Sequence, residues 1–141
     1  MAKKFKPHER KSIIQKTLEK KKSIASIDAD ETFHVNFGQL DQTQGNTLDG
    51  WDGTHNLAHA IEVLCGYCKR PLIGQFSKKF TNYGDFPEKA RKNYFPPIHV
   101  PEDANWARIH VTGSQCIIGH FIRNIFFIVF LSDDHDFWPI N

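Results

Sequence analysis

The last third of the chain constrains the fold more than any other part. Residues 106–138 read WARIHVTGSQCIIGHFIRNIFFIVFLSDDHDFW. Apolar runs of strand length are separated by Gly113-Ser114 and Arg123-Asn124, two short turn signals. Glycine takes the first central position of a type II′ hairpin turn without steric cost, and asparagine tolerates the left-handed region. The pattern predicts three consecutive antiparallel strands, about 106–112, 115–122 and 125–131, ending in an Asp-Asp-His turn.

Alternation along these strands assigns side chains to faces. With a two-residue turn at Gly113-Ser114, Val111 faces Cys116, Ile109 faces Ile118 and Ala107 faces His120. That set reads as the core face. On the opposite face His110 pairs with Ile117, and Arg108 pairs with Gly119, which leaves room for another molecule. The third strand then adds Ile125, Phe127, Val129 and Leu131 to the core. It sets Phe126, Ile128 and Phe130 beside Arg108. A strand apolar on both faces belongs inside its sheet. A one-residue slip would exchange the faces.

Upstream, Thr32 to Phe37 alternates as one more strand, with Phe33, Val35 and Phe37 on one face. Residues 41–54 carry loop chemistry. Thr54 is the expected N-cap of a helix over about 55–69, with Leu57, Ala58, Ile61, Leu64, Cys65 and Cys68 as its buried stripe. Pro71 ends that helix, and a short helical segment is expected at about 72–80. Residues 81–105 hold Pro87, Pro96, Pro97 and Pro101. They read as a long irregular connection with one helical turn at 88–93.

The 141 residues suffice for one core. The expected organisation is a basic helical arm over 1–24 and a single α+β domain over 25–141. Residues 1–22 carry nine Lys/Arg against two Glu, net +7, and the remainder is net −5. Such an arm suits RNA or an acidic partner, or serves as a solvated extension. No apolar run reaches the roughly 18–20 residues that span a bilayer, so no membrane is expected. Three cysteines, an odd count, fit a reducing, cytoplasmic setting.

Arg108 and His110 project together, two apart on one strand. Arg123 follows at the second turn, and His135 stands between Asp134 and Asp136. A guanidinium fork with titratable imidazoles is what phosphodiester cleavage needs: one stabilises charge on phosphorus, the others move protons. RNA supplies its own nucleophile in the 2′-hydroxyl, so neither cofactor nor metal is required. Phe126, Phe130 and Trp138 are candidate surfaces for base stacking. Lys78, Lys79, Lys89, Arg91 and Lys92 form a second basic region among aromatic residues. It suits either RNA binding or simple solvation of a core. His55, His59, Glu62, Cys65 and Cys68 suggest zinc by residue type. One continuous helix, however, does not wrap them around a single ion.

The order strand, helices, three-strand meander resembles the RelE-like and YoeB-like toxin ribonuclease fold. The block GHFIRNIFFIVFLSDDHDFWP is also similar to small uncharacterised bacterial mobile-element proteins. The toxin resemblance implies helices on one sheet face and messenger RNA, within the ribosome, on the other. It implies catalytic roles for Arg108, Arg123 and His135, and an antitoxin as partner. The sequence departs from that pattern: Phe137 and Trp138 stand where a late tyrosine is usual, and the globular part is acidic. The expected function is a toxin-like, metal-independent endoribonuclease, with Arg108 and Arg123 on the phosphate, His135 as general acid or base and His110 assisting. The rival expectation is a non-catalytic protein- or RNA-binding module of a mobile-element or toxin–antitoxin system.

Overall fold

The computed structural model describes residues 31–133 and residue 137. The expected basic arm over 1–24 therefore lies outside the described residues, as do His135 and Trp138. The elements are β1 (His34–Asn36), α1 (Leu48–Gly53), α2 (Asn56–Cys68), β2 (Phe80–Gly84), a 3-10 helix (Glu88–Lys92), β3 (Asn105–Thr112), β4 (Gln115–Ile122) and β5 (Ile125–Ser132). The protein has the α+β fold that its pattern predicts. Among the described residues no helix is long and apolar enough to cross a membrane.

One five-stranded sheet runs in the order β1-β5-β4-β3-β2. The meander β2–β5 is antiparallel, and β1 joins β5 in parallel. Both expected turns form, with Thr112 opposite Gln115 and Ile122 opposite Ile125. Gly113 and Arg123 take positive φ at the first central position. At the second turn it is thus Arg123, rather than Asn124, that bears the left-handed conformation. Asn124 instead ties the turn to β1: its side chain donates to the Thr32 carbonyl at 2.7 Å, and its own carbonyl receives the His34 N–H at 3.0 Å.

The face assignment needs correction, and the cause is two β-bulges. Val111 is an extra residue between the pairs Thr112–Gln115 and His110–Cys116. β3 keeps its expected sides, but every side chain of β4 changes face. Ile117 and Phe121 join the helix-covered core, whereas Cys116, Ile118 and His120 lie with Arg108. Phe126 and Ile128 follow β4 into that core, and Phe127 stacks on His120. A second bulge at Val129 restores the expected sides of Phe130 and Leu131.

Helices cover one face only. α1 brings Trp51 into that core and α2 brings Ala60 and Leu64, with Leu57, Val63 and Tyr67 packed at its margin. The buried stripe of α2 is thus rotated from the expected one: Ala58, Cys65 and Cys68 are exposed and Ile61 is 41% exposed. Residues 48–53, read as loop, form α1 because the Thr47 hydroxyl caps the Gly50 N–H at 2.9 Å. Thr54 closes α1 rather than opening α2, whose N-cap is His55 at φ 63°. No helix forms at 72–80. The Gln75 side chain holds the carbonyls of Tyr67 and Pro71, Gly74 takes φ 91°, and a tight turn at Ser77–Phe80 leads into β2, an edge strand that the pattern conceals.

The second face has its own cluster. Trp106, Ile118, Val129 and Phe130 are covered by Ala90, Tyr94, Val100, Ala104 and Phe137. The Pro-rich connection and its 3-10 turn therefore act as a roof.

Candidate functional site

Arg108 lies in the middle of β3, opposite Thr81 on one side and Ile118 on the other, and faces away from the helices. It is half-buried. Its Nε is shut off from solvent without a hydrogen-bond partner, and among the described residues its guanidinium forms no ion pair. Tyr83, at the bulge of β2, lies within electrostatic reach. Burial pushes the Tyr83 phenol up to about 12, and the Arg108 charge opposes that rise. The buried Nε, which has no acceptor, carries an uncompensated desolvation cost that an incoming oxyanion would offset.

His110 shares that face and sits opposite Cys116. Its Nε2–H donates to the Gly113 carbonyl at 2.8 Å, which leaves Nδ1 as the lone-pair nitrogen. The backbone of His110 also donates to the Lys79 carbonyl at 2.7 Å, so the Lys78-Lys79 turn adjoins the histidine. Lys78 and Lys79 are exposed. Lys78, Lys79 and Arg108 thus form one cationic corner at the β2–β3 edge, with His110 beside it. The other basic residues stand on the roof. Arg91 pairs with Glu88 at 3.3 Å and lies over Phe86 at 5.3 Å, and Phe86 packs edge-on against Trp106 at 5.0 Å. Lys89 and Lys92 extend from the same 3-10 helix and are exposed.

Other expected site residues are placed elsewhere. Arg123 lies beyond the far end of β4, five residues or roughly 17 Å past the row of Arg108, and binds Glu31 at 2.5 Å. Phe126 and Phe130 are both 0% exposed, one within each core cluster, so neither offers a surface to a base. Gly119 leaves no space for a ligand: a Cβ there would meet the Phe127 carbonyl oxygen at 2.1 Å.

The exchange of faces brings in His120, which the pattern assigns to the opposite core. It is 1% exposed, packed between Phe127 and Trp106, and its Nε2–H donates to the Gln39 side-chain oxygen at 2.5 Å. The Gln39 carbonyl in turn accepts from His99 on the roof at 3.3 Å. The buried Nδ1 of His120 has no partner. Burial, with His99 nearby, depresses its pKa to about 4. His120 is therefore a neutral structural strut at neutral pH. The alternation of β4 alone contains no signal for it, because both possible faces are apolar.

The zinc-like residues do not converge. The His59 Nε2–H is committed to the Val111 carbonyl at 3.2 Å, and His55 stands exposed at the N-cap of α2. Among the described residues no three His, Cys, Asp or Glu side chains gather as a metal site. Comparison with protein-family models, with curated proteins and with solved structures finds no match.

Proposed function

We propose that the chain is a toxin-like endoribonuclease that grips RNA at its cationic corner. The observation that supports this reading is Arg108, half-buried on the sheet face without an acceptor or counter-charge among the described residues. In the proposed reaction Arg108 receives the scissile phosphate and neutralises charge developing on its oxygens. His110 takes the proton from the 2′-hydroxyl as that oxygen attacks phosphorus. The P–O5′ bond breaks and leaves a 2′,3′-cyclic phosphate and a 5′-hydroxyl. Protonation of the leaving oxygen falls to His135. Lys78 and Lys79 hold flanking phosphates. Messenger RNA on the ribosome as substrate and an antitoxin as neutralising partner belong to the same proposal. Arg123, Phe126 and Phe130 have no part in it.

A non-catalytic RNA-binding module is the second reading. It is favoured by the roof, which closes most of the sheet face that such a nuclease would use. End-labelled single-stranded RNA incubated with wild type and Arg108→Ala separates the two. Loss of about 100-fold or more in cleavage, with cyclic-phosphate ends from wild type, supports the nuclease. Binding without cleavage, weakened in the variant, supports the module. Equal background cleavage and equal binding by both proteins would remove both readings.

A further inference from the structure

The exposed side of α2 carries chemistry that the RNA reading does not use. Cys65 and Cys68 are three apart in its last turns, so they share a face. Both are free thiols at the surface, and they lie within electrostatic reach of each other. The turn between them is firmly held. Tyr67 packs edge-on against Phe80 at 5.0 Å, and its carbonyl accepts from Gln75 at 3.0 Å. Ile61, 41% exposed, and Ala58 continue the outward stripe and give the sulfurs an apolar flank.

We propose that Cys65 and Cys68 form a two-sulfur site for a soft metal ion of low coordination number, of the Cu(I) type. A tetrahedral ion such as zinc needs about four protein ligands in a structural site, and among the described residues not even three donors converge. Thiolates are soft ligands that suit Cu(I), and among the described residues no third donor joins the two sulfurs. The carbonyl end of α2 carries partial negative charge there, while Lys69 and Arg70 follow directly and favour the thiolate forms that a soft metal needs. On binding, each thiol gives up its proton and one Cu–S bond forms per sulfur. The product is a bis-thiolate complex with two protons released, and copper does not change oxidation state.

The reduced full chain is titrated against Cu(I) held by a colorimetric chelator. The expected result is transfer of one Cu(I) per chain. Cys65→Ser and Cys68→Ser should each weaken uptake by more than the roughly 10–100-fold that loss of a supporting group costs. Cys116→Ser, at the buried cysteine of β4, should leave uptake unchanged. No transfer to wild type, one ion bridging two chains, or uptake that survives Cys65→Ser would each overturn the proposal. Cys65 and Cys68 are exposed, so these variants test ligation rather than folding.

Discussion

The two faces of the sheet are built from the same alternating strands and closed in different ways. The helix side is mainly apolar, with buried Asn105 at its margin, and Phe33, Phe80, Phe121 and Phe126 interlock there at ring separations of 5.1–6.4 Å. The roofed side mixes Trp106, Phe130 and Phe137 with Arg108, His110, Cys116 and His120. Regular helices present a continuous stripe that asks for apolar partners. An irregular roof of prolines, aromatic rings and side-chain hydrogen bonds can accommodate polar groups one at a time. Ionisable chemistry on this sheet is therefore confined to the roofed face.

The sharpest test of this contrast is deletion on the helix side. Phe126→Ala should cost about 3–5 kcal/mol by urea denaturation, because three other aromatic rings lose contact at once. Phe86→Ala, half-buried on the roof, should cost clearly less. Equal losses would break the comparison.

The roofed face should also carry the acid sensitivity. The folded pKa of His120, about 4, lies below its ordinary value of 6.5. Between those values the unfolded chain binds a proton that the native chain refuses. The stabilising contribution is thus complete above about pH 6.5 and falls by about 3 kcal/mol as pH drops to about 4. His120→Gln should flatten that part of the pH–stability curve. An unchanged slope in the variant would assign the sensitivity to other groups.

Arg108→Leu should sharpen the contrast in the opposite direction. It removes a half-buried side chain whose Nε is desolvated and unpartnered, and should stabilise the protein by up to about 1 kcal/mol while weakening RNA binding. A destabilised variant would mean that Arg108 serves the fold. The smallest effect should come from Arg123→Ala. That pair is 65% exposed on the arginine side, so its loss should cost under about 1 kcal/mol in denaturation experiments.

Much of this architecture was legible in the residues. Both hairpin turns, the strand at Val35, the helix at Leu64 and the 3-10 turn at Ala90 follow from local pattern and turn chemistry. The outward projection of Arg108 and His110 was legible too, because β3 alternates cleanly. The faces of β4 were not. Ile117 and Ile118 are interchangeable in hydropathy, and nothing local marks Val111 as the extra residue. Its bulge has a distant anchor, since the Val111 carbonyl is held by His59 of α2. Tertiary contact decided the register, and with it whether Phe126 or His120 met the helices. β2 was hidden for a related reason: Phe80-Thr81-Asn82 is short, and its pairing depends on β3.

The parallel seam between β1 and β5 has a consequence for how the molecule is assembled. Thr32 and Asn124, which meet there, are 92 positions apart in the chain. Closing so large a loop is entropically slow, whereas the β3–β4–β5 hairpins can zip from their own turns. During translation the first strand must therefore wait for its neighbour to leave the exit tunnel. Between the emergence of β5 and the docking of β1, β5 would present a naked, strongly apolar margin, the moment at which a nascent copy is most prone to cross-pair with another.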